Sequence, residues 1–461
     1  MQGDVVWRLT AIPLTPIHVG DGSVLAAEEW KLGNDGRLER FSPAAVLRAA
    51  PERTRTDYMH ALERGDLTRA QTILRDAVRP EQVQERIAVG PEARSELEAT
   101  LNNPLRRGDI RPMIRTGFRP FLPGSSVKGA LRTALLSSLV PSRRDDIQAT
   151  KSEHRTGKGS IASRASNEVQ ALLLGHENPD QDPFRFVEVA DLPLPPDSTR
   201  IDRVVNWRPT RLMKQKSQPA EKMQMIFERT LAWADGTALP WPTLQIHIEA
   251  GALAAAQQRD RLRLKTPRFQ LGAVQLWKAV NQFHWQIFDY ERQRFFNGEQ
   301  AILRNLTHAF TLRLADGTVL REGELRKRPD VLLLRIGRFG QFESKSLEGV
   351  REGWNAQAKP PHPMSEGNTR NLARLGAAGP LVPFGWLLLV PEELAAKLAA
   401  PPPAEAGAAP GGGPQPTAAP ARRAFYEGEE VRVLRRGRGE VLIEFEGGDT
   451  EWVDESRIEW G

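Results

Sequence analysis

"FLPGSSVKGALRTALL", residues 121–136, sets a proline–glycine turn and two serines directly in front of an apolar helix. Val127, Leu131, Ala134 and Leu135 recur at helical spacing and predict one face packed on a sheet. Lys128 and Arg132, four residues apart, share a neighbouring face. The helix start reads as uncapped, glycine-lined and positive. Such an end attracts phosphate, because free N–H groups and the helix dipole both favour an anion. Gly124, Ser125 and Ser126 supply the donors and Lys128 a mobile charge.

A second stretch repeats the theme. "VLLLRIGRFGQFESKSLEGV", 331–350, reads as a buried strand, a glycine loop and a helix. Arg335, Arg338 and Lys345 surround Gly337 and Gly340, and glycines let a phosphate backbone approach the peptide closely. Phe339, held between glycines, is badly placed for core burial and well placed to stack on a base. Either loop alone reads equally well as a turn before a capped helix. Two of them, each following a strand on a basic chain, suggest an extended nucleic acid. Neither has the spacing of a nucleotide-hydrolase phosphate loop or a dinucleotide fingerprint, which argues against nucleotide hydrolysis.

Composition narrows the chemistry further. The chain has 461 residues, with 64 Lys and Arg against 58 Asp and Glu, a net charge of +6 that leans toward a polyanionic partner. A generally arginine-rich genome explains that excess equally well. There is no cysteine, which excludes disulfides, thiolate metal sites and a cysteine nucleophile. The 8 histidines never sit at ligand spacing, so no metal or other cofactor is expected. The N-terminus, "MQGDVVWRLTAIPLTP", carries no signal pattern, and no apolar run is long enough for a membrane span. A cytoplasmic protein with no membrane partner is expected.

From these loops the reading extends outward. Residues 4–17 alternate as a strand, with Trp7, Leu9 and Ala11 opposite Arg8 and Thr10. They run into the turn "HVGDGS" at 18–23 and a hairpin around "GNDG" at 33–36. Ser42 and Pro43 open a helix. Residues 51–110, rich in Arg, Glu and Ala, predict a helical insertion, and the polar stretch 141–168 a mobile loop. Strands are expected at 182–194, 244–250, 308–325 (turning at Asp316–Gly317) and 380–390, with a helical segment at 252–298. In that segment Trp277, Phe283, Trp285 and Phe288 read as core. A domain of residues 1–399 then gives way to a Pro/Ala/Gly linker at 400–422 and a small SH3-like or Tudor-like β-barrel at 423–461. The barrel's basic hairpin, with Arg432, Arg435, Arg436 and Arg438, is nearly balanced by neighbouring acids.

Catalytic groups are few. His18, Asp21, Glu28 and Glu29 gather near the first loop, where metal- or acid-assisted phosphodiester cleavage can be imagined. Equally, His18 closes the strand end and Asp21 sets the turn. His154 and His176 lie in polar stretches with no visible partner.

In order along the chain, "LTPIHVGDGS", "FLPGSSVKGALRTALL", "DPFRFVEVAD", "RIGRFGQFESKSLEG" and "LVPFGWLLLV" resemble the RAMP superfamily of CRISPR-associated RNA-binding proteins. Within it they most resemble the type III-A branch that forms the fifth, backbone-capping subunit of the Csm effector complex. The resemblance spans roughly residues 1–395. It implies an α+β fold with a modified ferredoxin-like, RRM-type core (β-α-β-β-α-β) carrying helical and loop insertions. It also implies binding of guide (CRISPR) RNA near its 3′ end, support of guide maturation and antiviral defence, and contact with target RNA and the other subunits. Carried over by motif, the RNA-facing residues are Ser125, Ser126, Lys128 and Arg132 in one loop and Gly337, Arg338, Phe339 and Gly340 in the other. Gly124, His18, Arg335 and Lys345 join them as candidates. The repeated backbone subunit of such complexes is a metal-dependent target-RNA endoribonuclease that uses an aspartate. Here Asp21 and Asp35 occupy the corresponding region, in contexts unlike that catalytic loop. A non-catalytic role is therefore expected, with endoribonuclease as the alternative. The tail from 401 onward departs from the family pattern, and RNA, a neighbouring subunit and an accessory host nuclease all stay open as its partner.

Overall fold

The computed structural model describes residues 5–101, 109–155, 164–176, 181–209, 225–236, 241–248, 271–355, 361–375 and 380–399, and beyond these 424–426, 429–436, 440–444, 450–454, 456 and 458–460. It is a mixed α+β structure. The principal elements, in chain order, are β1 (Val5–Pro13), α1 (Gly124–Leu139), β2 (Val187–Val189), β3 (Thr243–Ile248), α2 (Ala273–Arg294), β4 (Leu332–Arg335) and β5 (Trp386–Pro391). The five strands form one antiparallel sheet in the order β4-β5-β1-β3-β2.

The second half of β1, from Leu9 to Pro13, is buried throughout, and so are Leu387, Leu388, Leu389 and Val390 of β5. Successive strand residues point to opposite faces. Both faces of the sheet centre are therefore covered, and the alternation expected of β1 holds only at its exposed start. α1 buries Val127, Leu131, Ala134 and Leu135, as its spacing predicts. α2 contributes Leu276, Val280, Phe283 and Phe288 to the same core. Trp285 is buried too, whereas Trp277 is only partly buried and packs edge-on against Trp7 at 4.7 Å.

A second sheet runs through strands Leu381–Pro383, Arg370–Arg374, Thr199–Trp207, Val83–Val89, Leu38–Phe41 and Trp30–Leu32, and Ile226–Thr230 also pairs with Thr199–Trp207. Here several expectations are corrected. Residues 51–110 are not wholly helical. Between helices Glu52–Glu63, Leu67–Asp76 and Pro91–Leu101 lies Val83–Val89, a strand inside the second sheet. Its charged residues are used in ion pairs, Arg86 with Glu39 of the neighbouring strand at 3.0 Å and Glu85 with Arg115 outside the sheet at 2.9 Å. The loop expected at 141–168 is largely helical where it is described, with a tight turn Val140–Arg143 and helices Arg144–Glu153 and Arg164–Leu174. Asp145 and Asp146 in the first turn and Lys151 in the last suit the helix dipole of the first of these. Residues 156–163 of that stretch lie outside the described residues.

The remaining departures are local. Within 308–325 only Leu312–Arg313 and Val319–Leu320 pair, about a turn with Gly317 at φ 87°, and helices flank them. Within 182–194 a tight turn, Pro183–Phe186, precedes β2, and Asp182 caps it. After the glycine loop only a single short turn, Glu343–Lys345, replaces the helix expected there. The strand at 380–390 breaks at Gly385, with φ 99°, so that its first part joins the second sheet and its last part the first.

The chain divides into two compact units, Met1–Ala406 and Gly407–Gly461. The second is an antiparallel sheet in the order Thr450–Asp454, Glu440–Glu444, Glu429–Arg436, Ala424–Tyr426, Ile458–Trp460, with a bulge between Val433 and Arg435. The expected linker at 400–422 lies outside the described residues.

Candidate nucleic-acid interface

The two stretches singled out in the sequence meet at the exit of β1. The segment leaving β1 accepts hydrogen bonds from the break before β5 and from the loop after β4: Gly385 N donates to Pro16 O at 2.8 Å, and Arg338 N to His18 O at 2.8 Å. Gly337 makes the second contact feasible. Its φ is 84°, and a Cβ there would stand 2.6 Å from His18 O. The glycine serves a close approach of peptide to peptide. On the other side of the same exit lies α1. Between them opens a hollow of about 460 Å³, lined by Val19 and Gly20, by Ser125, Ser126, Gly129, Ala130 and Thr133 of α1, and by Arg335, Ile336, Gly337, Arg338, Ser344 and Lys345.

The charge in this hollow is concentrated. Arg338 is exposed. Lys345 donates from Nζ to the Arg338 carbonyl at 3.0 Å. Its ammonium is held below the ordinary lysine value, first by desolvation and then by the like charges of Arg338 and Arg335. An anion seated here would relieve that repulsion and accept from the serine and threonine hydroxyls of α1. Gly129 is the feature sequence reasoning missed. A glycine inside a helix is about 1 kcal/mol less favourable than alanine, which was the available signal. A Cβ added at Gly129 would meet no atom within 4 Å.

Several sequence candidates take other roles. Gly124 is buried against β2: its N–H donates to Asp191 Oδ1 at 2.8 Å, and a Cβ would overlap the Val189 carbonyl oxygen. The helix start is thus capped from outside by Asp191, and Gly124 is a packing residue. Arg132 pairs with Asp182 at 2.7 Å, donates to Gln170 at 2.8 Å and lies over the Phe184 ring. Lys128, half-buried, does not line the hollow. Desolvation lowers its pKa, with Asp182 and Glu188 opposing.

The core claims four more residues. The Arg335 side chain is fully buried, ion-paired with Glu291 and stacked over Trp386 at 4.6 Å. Phe339 is 6% exposed and packs on Phe227 at 4.9 Å and Phe384 at 4.8 Å, so it offers no stacking face. His18, 3% exposed, donates from Nδ1 to Glu228 O at 2.6 Å, and burial brings its pKa down to about 4, so it is neutral at physiological pH. Gly340 accepts a hydrogen bond from the Ser344 hydroxyl at its carbonyl, which tightens the loop.

The acidic candidates shape turns. Asp21, exposed, accepts from Ser23 N at 2.8 Å, and the Ser23 hydrogen bonds lower its pKa. Asp35 accepts from Arg37 N at 3.0 Å. Glu28 accepts from Gln71 at 2.9 Å and Glu29 from Ala26 N at 2.9 Å. His154 meets Glu168 at 2.5 Å, while both His176 ring nitrogens are buried with no hydrogen-bond partner among the described residues. Among the described residues no group of three or more His, Cys, Asp or Glu is arranged to hold a metal ion, and no helix is long and apolar enough to cross a membrane.

The family model described as the RAMP superfamily matches residues 10–295. No curated protein matches the chain in sequence. Among solved structures, a chain from the cryo-EM structure of a Csm–crRNA–target RNA ternary complex of a type III-A CRISPR-Cas system is similar in fold, with a TM-score of 0.55 and 16% identity. That match covers 83% of this chain and 100% of the other. The crystal structure of T. onnurineus Csm5 also matches, at a TM-score of 0.48 and 16% identity, over 82% of this chain and 99% of its own.

Proposed function

Because this chain belongs to the RAMP superfamily, we propose that it is a non-catalytic subunit of a type III-A CRISPR ribonucleoprotein that grips guide RNA by its phosphate backbone. In that role it sits near the guide's 3′ end, caps the filament of repeated subunits and supports 3′-end maturation for antiviral defence. Its partners are the guide, the target RNA and the neighbouring Csm subunits. The observation that carries this reading is the meeting of two loops, distant in sequence, on one cationic hollow lined by Ser125, Ser126, Arg338 and Lys345. Lys128 flanks it, and Gly337 and Gly340 give the loop its shape.

Other features agree. In the first sheet β1-α1-β2 and β3-α2-β5 place β5, β1, β3 and β2 side by side and antiparallel, with β4 added at the β5 edge. We read this as the ferredoxin-like core. The C-terminal sheet we read as a small SH3-like barrel available to an RNA, a subunit or an accessory nuclease. Backbone contacts position a strand without reading its sequence, which suits a protein that must accept every spacer.

The test is a salt titration of binding to mixed-sequence RNAs by the wild type and an Arg338→Ala/Lys345→Ala variant. Loss of two phosphate contacts should lower the slope of log K against log salt by about 1.4. The affinity at low salt should fall about tenfold or more, equally for all spacers. In the reconstituted complex, guides bound to the variant should keep longer 3′ ends. An unchanged slope, or strong preference for one spacer, overturns the reading. Gly129→Ala supplies an independent check. Helix propensity should raise stability by about 0.5–1 kcal/mol in thermal melts, while the methyl, projecting into the hollow, weakens RNA binding. A more stable variant that binds as well as the wild type would remove Gly129 from the interface.

A further inference from the structure

Past Thr133 and Lys345, which it shares with the first hollow, lies a second of about 350 Å³ between α1, helices Arg144–Glu153 and Arg164–Leu174, and the chain that follows the glycine loop. Its cations differ in how they are matched. Arg132 has Asp182 at 2.7 Å. Lys151 has Glu352 at 3.1 Å and the Val350 carbonyl at 3.0 Å. Lys345 meets a carbonyl. Arg351 stands apart: it lines the hollow, and its Nε and Nη2 are buried with no hydrogen-bond acceptor among the described residues.

We propose that this second hollow is a continuation of the RNA track, in which Arg351 takes a phosphodiester of the same strand that lies across Ser125, Ser126 and Arg338. The inference rests on the RNA-binding reading above. A buried N–H without an acceptor is costly, and more so on a charged group. A guanidinium offers a planar fork that suits phosphate oxygens better than any other side chain. The acceptor missing among the described residues is therefore one that a ligand brings. Continuity of the two hollows at Thr133 and Lys345 makes that ligand a polymer that runs through both, not a free anion confined to one. The track so defined follows the groove-facing side of α1 from its first turn to Arg132 and Leu136.

The experiment uses the full chain, with Arg351→Ala and Arg351→Lys, and a graded length series of mixed-sequence RNAs. Wild-type affinity should rise with length until both hollows are filled. Arg351→Ala should erase that last gain, a loss of about five- to tenfold, and lower the salt slope for long RNAs by about 0.7. It should leave the shortest RNAs that bind unaffected. Arg351→Lys should restore the slope with only part of the affinity. Because the guanidinium has no hydrogen-bond acceptor among the described residues, Arg351→Ala should melt no lower than the wild type. Long RNAs that bind Arg351→Ala with unchanged affinity and slope overturn the second hollow while leaving the first intact. So does a variant that loses binding of inorganic phosphate alone. A wild type that binds RNA of no length overturns the RNA-binding reading itself.

Discussion

Replacing Glu291 by alanine is expected to cost about 3–5 kcal/mol of stability, the penalty for breaking a buried ion pair by removing one partner. Glu291 projects from α2 at 2% exposure and is ion-paired with two arginines: Arg370, whose Nε lies 2.8 Å from Oε1, and Arg335, which donates to Oε2. Arg370 also reaches Glu343 at 3.0 Å, and Glu343 accepts from Gly367 N at 2.8 Å. Two guanidiniums and two carboxylates are thus balanced out of water, with Arg370 over Phe295 at 3.3 Å and Arg335 over Trp386. Without Glu291, two buried cations face one carboxylate. Burial already disfavours the charged form of Arg335 and lowers its pKa, and Glu291 is the partner that opposes this, so the loss lands on the group that depends on it most. Arg335 opens the glycine loop, and Glu343 lies at its far end. RNA binding should therefore fall at temperatures well below global unfolding. Denaturant titration of Glu291→Ala and Glu291→Gln measures this. Glutamine preserves the shape but not the charge, so it should recover only a minor part of the loss. A Glu291→Ala cost below about 1 kcal/mol would mean that water or a side-chain shift rescues the arginines.

The same network explains why the sequence was legible in some places and not in others. Helix 124–139 and strands β1 and β5 could be read because local apolar spacing decides them. Arg335, Arg338 and Lys345 look alike within one short stretch. Only the tertiary partner separates them, since Glu291, 44 positions away, draws Arg335 inside and no acidic side chain among the described residues pairs with Arg338. Phe339 between two glycines looked like a platform. It is buried because His18, Phe227 and Phe384 arrive from three other segments. Strand Val83–Val89 was hidden by its charge, although Val83, Glu85 and Ile87 alternate with the exposed Gln84 and Arg86. The break at Gly385 is a single φ value within a continuous apolar run. The reason for it, the approach of Ile336 O to within 2.8 Å of a would-be Cβ, is invisible until both loops are folded.

Gly124→Ala should be the most damaging single methyl in the interface, at about 3 kcal/mol, the upper end for overpacking a close-packed site. The added Cβ would overlap the Val189 carbonyl, and Ala190 O would stand 2.8 Å away. Both are backbone atoms next to β2, so no side-chain rotation relieves the clash. α1 must lift from the sheet edge. Lifting it also breaks the Gly124 N–Asp191 bond and moves Ser125, Ser126 and Gly129 relative to Arg338. Asp191→Ala separates the two effects. It removes the cap but leaves the glycine seated, and caps of this kind contribute about 1 kcal/mol. Thermal melts should rank wild type, Asp191→Ala and Gly124→Ala in that order. RNA affinity, measured where all three are folded, should drop sharply only for Gly124→Ala. If the two variants lose stability and affinity equally, the helix start acts through its cap alone. The position of α1 against β2 would then not be what aligns the hydroxyls with the cations across the groove.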